Sequence, residues 1–349
     1  MNFSRRNFIK FAGLAPLLYG GIVGMADPAR KKSRISLTSL TGLDSPIQEI
    51  YPAVFEEEAY VAGGFSPSPK PIFYGLSPTK YTYIFSPKTK TWRSGPALPE
   101  VRHHLGMAAN SKYLYGIGGF YGQKGSVWQA KGTVHRFSSG ESWVSAPDLP
   151  QPMAESVYAS ISEDIHVIGG KSPGDLSRNA DTKSHYILID NTDWEMAAPT
   201  AIRRNSAAGA VVENRIYVVG GRQVSSDGRK ARNLSYSEVY DPRLDKWEKI
   251  RPLPEAVAGL TASSLNGRVI AIGGEAFGPN GNWKTGTAYS VVWVYDPISD
   301  QWCKEALLNE ARHGHGAVVI DDTLYIIGGA SQVGPQNTLA SVVQLRWNK

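Results

Sequence analysis

Paired glycines close an apolar, strand-like run at six places in this chain, and the interval between them hardly varies. The runs are Ala59-Tyr60-Val61-Ala62-Gly63-Gly64, Tyr115-Gly116-Ile117-Gly118-Gly119, His166-Val167-Ile168-Gly169-Gly170, Tyr217-Val218-Val219-Gly220-Gly221, Ile270-Ala271-Ile272-Gly273-Gly274 and Tyr325-Ile326-Ile327-Gly328-Gly329. Successive first glycines lie 55, 51, 51, 53 and 55 residues apart. A fixed period of this length is the mark of a repeat architecture. After each of the first five pairs comes a second strand and then a tryptophan: Trp92, Trp143, Trp194, Trp247 and Trp302. Tyr240-Asp241-Pro242 and Tyr295-Asp296-Pro297 place a turn signal after the second run. Composition agrees: 36 glycines and 22 prolines in 349 residues suit a turn-rich β protein. With 42% hydrophobic and 19% charged residues, a sizeable core is available and wholesale disorder is excluded.

This pattern resembles the kelch repeat, and the resemblance covers nearly all of residues 35–349. It implies an all-β fold, a six-bladed kelch β-propeller, each blade four antiparallel strands. Such units cannot bury both faces alone, so they stack radially around a channel. After Gly329 only one more strand fits, from Ala340 to Trp347, and Trp347 comes too early to be the sixth blade's outer-strand tryptophan. Ile35-Ser36-Leu37-Thr38-Ser39-Leu40 has the alternation to fill that vacancy. The last blade is therefore expected to be closed by an N-terminal strand. Closure removes the sheet edges, so a monomer is expected.

Residues 1–26 read as an address. Ser4-Arg5-Arg6-Asn7-Phe8-Ile9-Lys10 precedes a short apolar stretch from Phe11 to Gly24, and Gly24-Met25-Ala26 supplies small residues for cleavage. The segment is similar to the bacterial twin-arginine signal peptide. That resemblance implies the export machinery as a partner and a periplasmic or secreted protein. Residues 27–34 form a basic linker. The net charge of +6 sits within these first 34 residues, which hold seven basic side chains against Asp27. The propeller is neutral, so the alkaline pI does not argue for nucleic acid as a partner.

The loop entering the innermost strand and the loop after Gly-Gly share one face of a kelch propeller. Sixteen residues before the first glycines of blades two to six stand Arg102, Met153, Arg204, Val257 and Arg312. Arginine on alternate blades would place three guanidiniums about the axis, suited to a carboxylate, sulfate or phosphate. The same residues could instead brace adjacent loops by bonding carbonyls. Asn205 follows Arg204 at this level. After the glycine pairs come Phe65, Phe120, Lys171, Arg222, Glu275 and Ala330. Phe65 and Phe120 offer an apolar wall facing polar groups on blades three to five, an arrangement that suits a sugar. Glu275 is the acid at this level, as a general base or, with arginines on the flanking blades, in an ion pair.

His103 and His104 in blade two, and His313 and His315 in blade six, begin equivalent strands. They are candidates for packing, for acid–base work or, with His313 and His315 on one side of a strand, for a metal. Kelch propellers include galactose oxidase, a copper enzyme with a cysteine-linked tyrosine. Here the single cysteine, Cys303, lies beside Trp302 on an outer strand, which removes that cross-link. One cysteine also excludes a disulfide framework and a multi-cysteine metal site. No cofactor is expected, with copper or another metal left open.

Among exported bacterial kelch propellers, the chain is similar in architecture to the N-acetylneuraminate epimerase (mutarotase) family, without that family's long insertions. The resemblance implies an anionic or acetylated carbohydrate at the channel mouth. For such a ligand the repeat positions offer Glu275 with His103 or His313 as acid–base groups, and Arg102, Arg204, Arg312, Arg222, Lys171, Phe65, Phe120 and Asn205 as contacts. The alternatives are a non-enzymatic module holding an acidic partner segment on the same arginines, and a metal-dependent oxidoreductase.

Overall fold

The computed structural model describes residues 34–174, 179–225 and 230–348. The address segment and all but the last residue of the basic linker lie outside the described residues.

Six four-stranded antiparallel sheets follow one another along the chain. Blade one runs from the channel outward as Ala53–Phe55, Glu58–Ala62, Thr82–Ser86 and Thr91–Ser94. The next four blades repeat this order, their innermost strands being Gly106–Ala109, Val157–Ile161, Ala208–Val212 and Thr261–Leu265. Blade six is built from Gly316–Ile320, Thr323–Ile327, Val342–Trp347 and, outermost, Ile35–Leu40. Ile35 lies opposite Trp347 and Leu40 opposite Val342, so the expected closure by the N-terminal strand holds in register.

Two repeated devices lock blade to blade, and each explains one residue of the repeat. The second glycine of each pair donates its N–H to a carbonyl of the following blade: Gly64 to Arg102, Gly119 to Met153, Gly170 to Arg204, Gly221 to Val257 and Gly274 to Arg312, at 2.7–2.9 Å. Gly329 closes the circle on Ile47 of blade one at 2.8 Å. On the outer edge each tryptophan indole reaches back to the preceding blade. Trp143 donates to the Pro96 carbonyl, Trp194 to Pro147, Trp247 to Ala198 and Trp302 to Arg251, at 2.8–3.1 Å. Trp92 bonds the Thr41 carbonyl, just beyond the closing strand, at 3.3 Å. Apolar clusters fill each interface between these locks.

The periodicity gave no sign of the structure just beyond the glycines. Five short hairpins rise there, pairing Phe65–Pro67 with Leu76–Pro78, Phe120–Gln123 with Ser126–Ala130, Lys171–Pro173 with Asn179–Asp181, Arg222–Val224 with Ala231–Asn233 and Glu275–Ala276 with Thr287–Ala288. They build a rim around one end of the channel.

Blade three departs from the repeat at His166, where four of the other five blades carry tyrosine and blade five carries Ile270. His166 Nδ1 lies 2.9 Å from His185 Nε2, and the pair packs on Tyr240 and Trp247. Burial, with their mutual repulsion, pushes His166 down to about 3, and burial pushes His185 down to about 4. A folded pKa below the unfolded value means the neutral pair stabilises the fold fully above about pH 6.5 and loses that contribution as the pH falls toward 4. His166 alone is expected to account for roughly 3 kcal/mol of the stability difference between pH 7 and pH 4. His166→Tyr should shrink that difference in urea unfolding followed at both pH values. An unchanged difference would show that the pair is not the acid-sensitive element.

Candidate functional site

The hairpin rim surrounds a cavity of about 150 Å³ at the channel mouth. Its floor is a ring of six residues, one per blade, two positions beyond the predicted arginine level: Glu49, His104, Glu155, Ser206, Gly259 and Gly314. All six are left-handed, with φ between 51° and 61°. Backbone bonds run round the ring: His104 donates to Glu49, Ser206 to Glu155, Gly259 to Ser206, Gly314 to Gly259 and Glu49 to Gly314, at 2.6–3.0 Å. Left-handed backbone costs a residue with a Cβ roughly 1–2 kcal/mol, and glycine almost nothing. Blades five and six use glycine here; the other four keep Glu, His, Glu and Ser at a conformational cost. All four of those side chains line the cavity.

Glu49 occupies the centre. Its carboxylate bonds His104 Nε2 at 3.0 Å and lies 3.8 Å from His313 Nδ1. Glycine at 314 makes the room, because a Cβ there would stand 2.8 Å from that carboxyl group. Burial alone would raise Glu49, but the field and hydrogen bond of His104 win and hold it down at about 2. Burial works against a charged His104, yet the attraction and hydrogen bond of Glu49 raise it. His103 falls well below its ordinary value through burial and the neighbouring His104 charge. The bonds agree: His104 Nδ1 meets His103 Nδ1 at 2.8 Å, and His103 Nε2 meets the Val127 carbonyl at 2.8 Å. His104 is therefore an imidazolium donating to both neighbours. His103 is neutral, accepting at Nδ1 and donating at Nε2, with no nitrogen left for substrate.

Glu275 forms the second centre. It takes Arg222 at 2.7 Å, the Gly334 amide at 3.0 Å, and stands 3.6 Å from His313 Nδ1. The ion pair expected of Glu275 is present, with Arg222 rather than with arginines two positions before the ring. His313 Nε2 donates to the Gln332 carbonyl at 2.8 Å, so its Nδ1 faces both Glu49 and Glu275. Aromatic rings wall the cavity. Phe65 stacks on His103 at 4.0 Å and contacts Phe73 and Trp128. On the far side Trp283 meets Tyr74 edge-to-face at 5.7 Å, and Arg222 lies 3.5 Å over Phe277.

The expected arginine triad does not assemble here. Arg102, Arg204 and Arg312 are 1%, 2% and 3% exposed and lie in the blades. Each reaches the carbonyl of the first glycine sixteen residues on, Gly118, Gly220 and Gly328. Arg102 also holds Glu100 and Thr133, Arg204 holds Glu238 and the Tyr236 carbonyl, and Arg312 holds Ser341. These guanidiniums are committed to bracing, the other role open to them, and have no fork to offer an anion. Lys171 is also engaged, 3.1 Å from Asp181, which takes Asn205 as well. Phe120 is fully buried behind Trp128. Of the predicted ligand contacts, Phe65 and Arg222 line the cavity, with Glu275 and His313 from the predicted acid–base set. The left-handed Gly314 breaks the strand alternation, so His315 turns away to bond Thr261 Oγ1 at 2.8 Å. Among the described residues no cluster of three or more His, Cys, Asp or Glu side chains is placed to hold a metal ion. Cys303 is exposed on the outer strand Gln301–Leu307.

Fold and site together define a six-bladed kelch β-propeller with a polar ring and an aromatic rim at one channel mouth. Residues 59–334 match the Attractin/LZTR1 β-propeller family, and the chain belongs to it. It is 22% identical over 321 residues to the kelch-like protein terF of Aspergillus terreus, spanning 90% of this chain and 67% of that protein. With kelch-like protein 36 of Rattus norvegicus it shares 24% identity over 253 residues, spanning 72% of this chain and 39% of that one. The chain thus covers about two fifths of the latter's length. Among solved structures, that of YjhT superposes with a TM-score of 0.69 at 19% identity, covering 87% of this chain and 96% of YjhT. That likeness is one of fold.

Proposed function

We propose that the mouth binds a single sugar ring and interconverts its anomers. The observation that carries this reading is the floor ring, where four side chains are kept in left-handed backbone beneath an aromatic-walled cavity. At about 150 Å³ the cavity is below the roughly 300 Å³ where sites for larger ligands begin, which favours one ring over an oligomer. Phe65, Trp128 and Trp283 suit the apolar face of a pyranose, and Glu49, Glu275 and His313 suit its hydroxyl edge. In mutarotation a base removes the anomeric hydroxyl proton while an acid protonates the ring oxygen. The C1–O5 bond breaks, the open-chain carbonyl turns, and the steps reverse on its other face. Glu275 serves as base, with His313 passing the proton between Glu275 and Glu49. Both nitrogens of His103 and of His104 are committed, so the proton for the ring oxygen comes through His313, whose Nδ1 faces the two carboxylates. Three carboxylates at the mouth, with Glu155 lacking a cation in contact among the described residues, count against an anionic sugar, and equally against an acidic peptide. Export by the twin-arginine route, supported by Ser4–Lys10, would set this chemistry outside the cytoplasm.

Purified protein is expected to speed anomer exchange of an aldose in NMR exchange spectra. Glu275→Gln should lower that rate at least about a hundredfold in protein that melts normally. No rate above buffer across a panel of aldoses would reject the enzymatic reading.

A further inference from the structure

We propose that the sugar carries a protonated primary amine, and that Glu155 is the residue that holds it. The inference rests on the sugar reading above and names the substrate class within it. Glu155 belongs to the floor ring, lines the cavity, and is 7% exposed. Glu49 has the His104 imidazolium and Glu275 has Arg222, yet among the described residues no cationic nitrogen lies within 4 Å of Glu155. Its one side-chain donor is the Ser206 hydroxyl at 2.8 Å, and that single proton is also claimed by Asn205 Oδ1 at 2.9 Å.

A carboxylate has about four lone-pair sites to fill. Burying one with a shared donor and no counter-charge in contact is costly unless a partner arrives. An ammonium brings three donors and the missing charge together. A ligand carboxylate would bring like charge, and an acetamido group offers one N–H and none. Of the three carboxylates at the mouth, Glu155 is the one without a cationic nitrogen in contact among the described residues, and a cationic ligand supplies it. Lys171, in the same blade, does not supply the charge because its ammonium is engaged by Asp181.

The test is calorimetric titration of the whole protein at neutral pH with glucosamine, glucose, N-acetylglucosamine and glucuronate. Glucosamine should bind at least about tenfold tighter than glucose, with glucuronate weakest. Glu155→Gln, checked by its melting temperature, should bring the glucosamine-to-glucose affinity ratio close to one. Equal binding of glucosamine and glucose by the natural protein, or a preference that survives Glu155→Gln, would overturn the amine assignment while leaving the sugar site standing. Failure of all four sugars to bind would overturn both. The ranking on the natural protein decides the matter even if the variant does not fold.

Discussion

Arg204→Ala is expected to cost the propeller about 3–5 kcal/mol of stability, with ligand affinity at the mouth unchanged in the protein that remains folded. The guanidinium is 2% exposed and meets Glu238, whose side chain is 1% exposed, at 2.5 Å. Removing it leaves that carboxylate with the Ala201 amide, the Gly220 carbonyl without its side-chain donor, and the Tyr236 carbonyl with the Gly220 amide alone. Burial pushes Glu238 up and Arg204 down despite their contact, so desolvation outweighs the attraction between them. Breaking the pair should therefore hurt far more than replacing it. Blades one, three and five carry Ile47, Met153 and Val257 at this position, all buried. Arg204→Met combined with Glu238→Leu should accordingly recover much of the loss. Arg102 should be cheaper to remove, because its partner Glu100 is about one third exposed and can rehydrate. Chemical unfolding of the single and double variants gives the ranking. A stable Arg204→Ala that has lost affinity for the sugar would return these arginines to the binding site.

Why the sequence leads to the blades and yet misses the floor comes down to two residues of offset. The Gly-Gly period reports a backbone requirement common to every blade, so it predicts blade number, strand order and closure by Ile35–Leu40. Chemistry at the mouth is not common to the blades, and no repeat marks it. Counting sixteen residues back from the glycines lands on the seam; counting fourteen lands on Glu49, His104, Glu155, Ser206, Gly259 and Gly314. Strand alternation does not connect the two levels, because the left-handed residue reverses the direction in which side chains point. The available signal was a mixture of polar residues and glycine at one register of the repeat. Trp128 and Trp283 were less accessible still: they stand in inserted segments whose length differs from blade to blade. Glu275, Arg222, His313 and Phe65 were found because they sit beside the glycines or at the paired strand start, where the period is an accurate ruler.

Gly328→Ala should be among the most damaging methyl groups that can be added to this chain, at about 3–4 kcal/mol. Two effects combine. Gly328 has φ +58°, which costs alanine roughly 1–2 kcal/mol. A Cβ there would also stand 2.5 Å from the Ile47 carbonyl oxygen, part of the backbone of blade one. That carbonyl accepts the Gly329 N–H at 2.8 Å, the bond that joins the last blade to the first. It cannot retreat without losing the bond, and the Arg312 guanidinium holds the Gly328 carbonyl from behind at 2.9 Å. Gly267 separates the two effects, since it has φ +69° in an open turn where an added methyl would meet nothing within 4 Å. Gly267→Ala should show the conformational cost alone, about 1 kcal/mol. Thermal and urea unfolding of the two variants side by side measures the difference, which is the contribution of close approach between blades. Equal destabilisation would mean that the paired glycines serve backbone conformation only, and that the ring closes without tight contact at its seams.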